Sequence, residues 1–131
     1  MQYNEMMDSS RTFIERLLHK HADNMRQLEL PAGEYGSVRY EELLTFNENA
    51  RCLFAVEIEN KVSRKHLLGG ALNACALGRM GIVVGWTAEK MRALFKLQAY
   101  WDFLESVGKN TFRAKNLIVI DPHQLVAAFR D

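Results

Sequence analysis

Hydrophobic and polar positions recur along this chain with two periods, and each period predicts an element. Phe13, Ile14, Leu17, Leu18, His21, Met25 and Leu28 return at three- and four-residue steps, the spacing that lays one apolar stripe along a helix. Ser9 and Ser10 stand just before it, with hydroxyls suited to accept the free amides of a first turn. Pro31, Gly33 and Gly36 end the stripe and open a loop. The period then shortens. Residues 38–46 are expected to form a strand, and after the polar turn Asn47, Glu48, Asn49 the segment RCLFAVEIEN forms a second, the two folding as a β-hairpin. Side chains alternate in a strand, so Phe54, Val56 and Ile58 point one way and Leu53, Ala55, Glu57 and Glu59 the other.

The rest of the chain alternates helices with short apolar strands. Ser63 heads a helix whose apolar side is Leu67, Leu68, Ala71, Leu72, Cys75 and Ala76. A helical glycine costs roughly 1 kcal/mol relative to alanine, so the pair Gly69 and Gly70 marks a close approach to a sheet or to another chain. Ile82, Val83 and Val84, edged by glycines, read as a central strand covered on both sides. Thr87 heads a long helix over 88–107, with Met91, Leu94, Phe95, Trp101 and Leu104 inward and Lys90, Arg92, Lys96 and Glu105 outward, and Gly108 stops it. Leu117, Ile118, Val119 and Ile120 form a last buried strand, closed by Asp121 and Pro122, and 124–129 form a final short helix. A hairpin followed by helix-linked strands that pair in parallel is an α/β fold.

With 131 residues the chain is expected to be one domain, over 1–131. A composition of 48% hydrophobic and 25% charged residues, with 2 Pro and 8 Gly, excludes disordered and collagen-like classes. Seventeen basic against sixteen acidic residues leave a net charge of +1, so a nucleic-acid partner would have to be met by a local patch. Cys52 and Cys75 lie in apolar segments and read as small core hydrophobes, not a disulfide framework. The opening MQYNEMMDSSR lacks the apolar stretch of a secretory signal and carries acids that a transit peptide avoids. LLGGALNACALG falls short of the about 20 apolar residues a membrane span needs. A cytoplasmic chain with no membrane partner is expected.

Two carboxylates on one strand face repel unless a cation, a basic neighbour or a proton relieves them. Glu57 and Glu59 therefore call for compensation, by Mg²⁺ or Mn²⁺, which suit hard carboxylate oxygens, or by exposure and pairing with Lys61, Arg64 or Lys65. FAVEIENK, the helix after it, the glycine-edged strand GIVVGW and the late strand NLIVIDPHQL resemble the PD-(D/E)xK restriction-endonuclease-like superfamily over roughly 10–129. The resemblance implies a mixed sheet with an N-terminal β-hairpin flanked by helices. It also implies metal-dependent hydrolysis of DNA. Glu41 then matches the acid of the first hairpin strand, Glu42 being the one-residue alternative, and Glu57 matches the glutamate of E-x-K. Glu59 stands where the lysine belongs, with Lys61 or Lys65 as a migrated positive charge, and Glu15 is the helical glutamate. The alternative is a non-catalytic DNA-binding or protein-assembly module of the same fold.

Lys61, Arg64, Lys65, His66 and Arg79 are the DNA-contact candidates by position, and contacts of this kind to phosphate position a duplex without reading it. Asn73, among small apolar residues, faces either the site or a partner subunit. Tyr100, Trp101 and Phe103 cover more than one helix face, through core packing or a homodimer contact. His19 and His21 are two apart and share no helix face, and His66 and His123 have no ligand-set neighbours, so no zinc site is expected. No dinucleotide fingerprint, phosphate loop or nucleophile elbow is present.

Overall fold

The computed structural model describes residues 2–27, 39–59, 64–109 and 114–130. Leu28, Pro31, Gly33, Gly36, Lys61 and Ser63 lie outside them. The elements run α1 (Gln2–Ser9), α2 (Arg11–Gln27), α3 (Tyr40–Phe46), β1 (Cys52–Glu59), α4 (Arg64–Leu77), β2 (Gly78–Gly85), α5 (Ala88–Ser106), β3 (Leu117–Ile120) and α6 (Pro122–Arg130). The strands form one three-stranded sheet in the order β1-β2-β3, all parallel, with Glu57 opposite Val83 and Glu59 opposite Gly85.

The expected hairpin is overturned. Where its first strand should lie the chain forms α3, and β1 pairs in parallel with β2. Tyr40 and Leu43, three apart, are buried together, and Glu41 and Glu42 occupy the first turn, where the free amides favour negative charge. The Arg39 amide donates to Glu42 Oε1 at 3.2 Å, tying off one end. Seven residues with two acids at their head thus satisfy a helix better than a strand.

Helices cover both faces of the sheet. On one, α4 and α5 bring Leu67, Ala71, Leu94 and Phe95 against Ala55, Val83, Leu117 and Val119. On the other, α1, α2, α3 and α6 bring Met7, Ile14, Leu17, Leu43 and Ala128 against Met80, Ile82, Val84, Ile118 and Ile120. β2 is buried along its whole length, as its glycine-edged run implied. A Cβ on Gly81 would lie 2.8 Å from the carbonyl carbon of Ala74, so only glycine lets α4 cross β2 this closely.

The outer edge of β3 is closed by side chains of α2. His21 Nδ1 accepts the Val119 amide at 2.9 Å, and the Asn24 amide donates to the Val119 carbonyl at 3.1 Å. A free strand edge is a template for unwanted pairing, and two residues one turn apart occupy this one. At the opposite end of the sheet, Asn47 and Asn116 both donate to the carbonyls of Cys75 and Gly78. They satisfy acceptors that a helix end leaves without partners and pin the joint where α4 runs directly into β2.

Candidate functional site

Parallel strands bring all their carboxyl ends to one edge of a sheet, where α/β folds carry their sites. At that edge of β1, Glu57 and Glu59 share the face that looks at α4. Glu57 is half-buried and Glu59 only 8% exposed. α4 makes room for them. A Cβ on Gly70 would stand 2.6 Å from Glu59 Oε1 and 3.8 Å from Glu57 Cβ, so the missing side chain is the notch that admits the carboxylate. Of the glycine pair, Gly70 is the close approach that the sequence implied, while Gly69 meets nothing within 4 Å.

The other acids assemble elsewhere. Arg11 donates to Glu15 at 2.9 Å and to Glu41 at 3.4 Å, and its guanidinium lies 4.4 Å from the ring centroid of Tyr40. The bond to Glu15 raises the Arg11 pKa above its ordinary value. Burial, and then the hydrogen bond to Asp8, raise that of the Tyr40 hydroxyl. Because α3 packs on the face of the sheet opposite α4, Glu41 and Glu15 gather on Arg11 and not on Glu57. Among the described residues, no three Asp, Glu, His or Cys side chains are grouped to hold a metal ion. Glu57 and Glu59 are the residues at this edge that could hold Mg²⁺ or Mn²⁺, since such ions keep several waters and need few protein ligands.

The basic candidates separate. His66 is exposed on α4. Arg64 and Lys65 belong to its first turn, and Lys61 falls outside the described residues. Arg79 lies on β2, 6% exposed, and donates to the Leu44 carbonyl of α3. That burial ties it to packing and leaves it no open face for a phosphate. Asn73 is exposed and so needs no partner. Trp101 belongs to the core, while Tyr100 and Phe103 are open, so the aromatic group divides between packing and surface.

One part of this edge was not read from the sequence. The helix after β2 covers one face and the helix after β3 covers the other, which opens a crevice between them. A cleft of about 480 Å³ occupies it, with Trp86, Thr87 and Met91 on one wall and Asp121, Pro122 and His123 on the other. The second wall is braced. The Asp121 amide donates to Gln124 Oε1 and the Gln124 amide to Asp121 Oδ1, a reciprocal cap on α6, and the side chains of Gln124 and Asn24 exchange two further hydrogen bonds. The Trp86 amide donates to the Glu59 carbonyl at 3.3 Å, joining cleft and carboxylate strand. A second cavity of about 690 Å³ shares Thr87 and continues along α5 past Lys90, Arg92, Lys96 and Tyr100. The sequence did carry a signal, a tryptophan between a strand end and a helix cap, but the walls come from three distant segments.

In comparisons with protein-family models, curated proteins and solved structures, none matches this chain. Among the described residues no helix is long and apolar enough to cross a membrane.

Proposed function

We propose that this chain is a cytoplasmic phosphodiesterase acting on DNA with Mg²⁺ or Mn²⁺, and that Glu57 and Glu59 are its metal-binding pair. The observation that carries the reading is the nearly buried Glu59 carboxylate, set beside Glu57 at the carboxyl end of a parallel strand under the notch at Gly70. When bound, the ion would polarise a phosphate oxygen and acidify an attacking water. The protein's part is to fix two carboxylates in one direction and to shield them from bulk water beneath α4. The run from Lys61 through Arg64 and Lys65 to His66 follows them directly in the chain and supplies cations for the phosphate backbone.

A second reading, a non-catalytic DNA-binding or assembly module, is favoured by one observation: Glu41 is held by Arg11 on the far side of the sheet, so the acids at the notch are two.

Calorimetry with Mn²⁺ and cleavage of plasmid and single-stranded circular DNA test the proposal together. Metal binding and cleavage, both abolished by Glu57→Ala and by Glu59→Gln, are expected. Absence of binding at millimolar metal, or cleavage indifferent to both substitutions, overturns hydrolysis. DNA binding without cleavage in any metal leaves the second reading.

A further inference from the structure

From the two adjoining cavities we infer that the carboxyl edge of the sheet binds single-stranded nucleic acid, one base seated in the cleft at Trp86 and the backbone running along α5. This rests on the DNA reading above and names the form of the substrate.

Trp86 is 57% exposed, and a large indole left this open beside a cleft has the size and flatness to take a base on its face. Trp86, Pro122 and His123 line that cleft together, so a flat ring entering it meets flat side chains. The neighbouring cavity carries the complementary charge. Arg92, Lys96 and Tyr100 lie at four-residue steps and so form one row on the helix. Lys90 stands two residues closer to Trp86 than Arg92 does, and Glu89 is the acid on that wall. Tyr100 is also 57% exposed. Aromatic platforms interleaved with cations are how proteins hold unpaired strands, the rings stacking bases and the cations following phosphates. From Ala88 to Tyr100 the helix rises about 18 Å, room for several nucleotides. A duplex, with its bases stacked inside, could offer nothing to Trp86.

Tryptophan emission reports the event, because Trp86 is open and Trp101 is 3% exposed. The full chain is titrated in EDTA, where nothing is cleaved, with a short oligothymidylate, the matching oligouridylate, a duplex of equal length, and inorganic polyphosphate. Quenching by oligothymidylate is expected. Its affinity should fall with salt at a log–log slope of about −2, the value for three cations on a single strand. Trp86→Ala should weaken binding by about tenfold or more. Lys96→Glu, read by anisotropy of a labelled oligonucleotide, should weaken it and flatten the salt slope. Equal binding of oligouridylate extends the inference to RNA, and selective binding of oligothymidylate confines it to DNA. The inference is overturned if the duplex or polyphosphate binds as tightly as oligothymidylate, if oligouridylate alone binds, or if Trp86→Ala folds and binds unchanged. Because metal is excluded, loss of hydrolysis with binding intact sinks only the catalytic reading, while cleavage of duplex without strand binding sinks only this one.

Discussion

The imidazole of His21 accepts the backbone amide of Val119 at 2.9 Å, so a helix side chain stands where a fourth strand would otherwise pair. Replacing His21 by Ala strands a buried amide. An unsatisfied buried donor costs about 1–3 kcal/mol, and urea denaturation of His21→Ala should show a loss in that range. Asn24→Ala, which removes donors to both the Val119 carbonyl and Gln124, should lose at least as much. A change under about 0.5 kcal/mol for both, the size usual for surface substitutions, contradicts the edge-closing role.

Gly69 and Gly70 are neighbours in sequence with opposite surroundings. Gly69→Ala gains helix propensity in open space and should stabilise by about 0.5–1 kcal/mol. Gly70→Ala gains the same propensity but pushes a methyl group into the Glu59 carboxylate. It should be the less stable of the two and should weaken Mn²⁺ binding in calorimetry, where Gly69→Ala does not. Equal stability and equal metal affinity for the pair rule out the notch.

Glu41 separates the resemblance from the fold. Placed with Arg11 on the face opposite α4, it should be dispensable for metal. Glu41→Gln is expected to leave the Mn²⁺ isotherm of the wild-type chain unchanged, and a tenfold loss of affinity would restore it to the site.

Cys75 gives a pH dependence. Burial pushes its thiol up to about 12 from 9.0, so in the folded state it stays protonated where an unfolded chain loses the proton. The unfolded state then binds fewer protons than the native one, and stability falls as pH rises. Below pH 9 the contribution is fully present, and between about 9 and about 12 it is lost. Denaturation of wild type relative to Cys75→Ala across that window should show the difference shrinking. At pH 8, iodoacetamide should modify Cys52, which is half-buried, well before Cys75.

The strands were legible because each is a short apolar or alternating run bounded by breakers. The starts of α2 and α5 were legible too, the second from Thr87, whose Oγ1 accepts the Lys90 amide. What failed was pairing. A period of two says which way Glu57 points, but it does not say which strand lies alongside, so an assumed hairpin put Glu41 beside Glu57. Residues 40–46 misled because their helical signature is only two turns long, with Tyr40, Leu43 and Leu44 also acceptable in a strand. α1 was not legible because Met7, the one fully buried hydrophobe among its described side chains, makes no stripe. Ser9 does not cap α2; its hydroxyl donates back to the Met6 carbonyl of α1. α6 starts at Pro122, two residues earlier than expected. Asp121 with Gln124 three residues on, and a proline at the first helical position, were a readable start signal. The notch was half legible, since the glycine pair announced a close approach without naming Glu59. The cleft was not legible, because no local pattern records that helices after adjacent strands leave on opposite faces.

α4 passes into β2 with no intervening residue, and Asn47 and Asn116 fasten that junction to the carbonyls around it. The same helix begins at Arg64 and carries Gly70 midway, so the anchoring of its far end sets the height of the helix backbone over Glu59 and with it the size of the space a carboxylate or its counter-ion can fill.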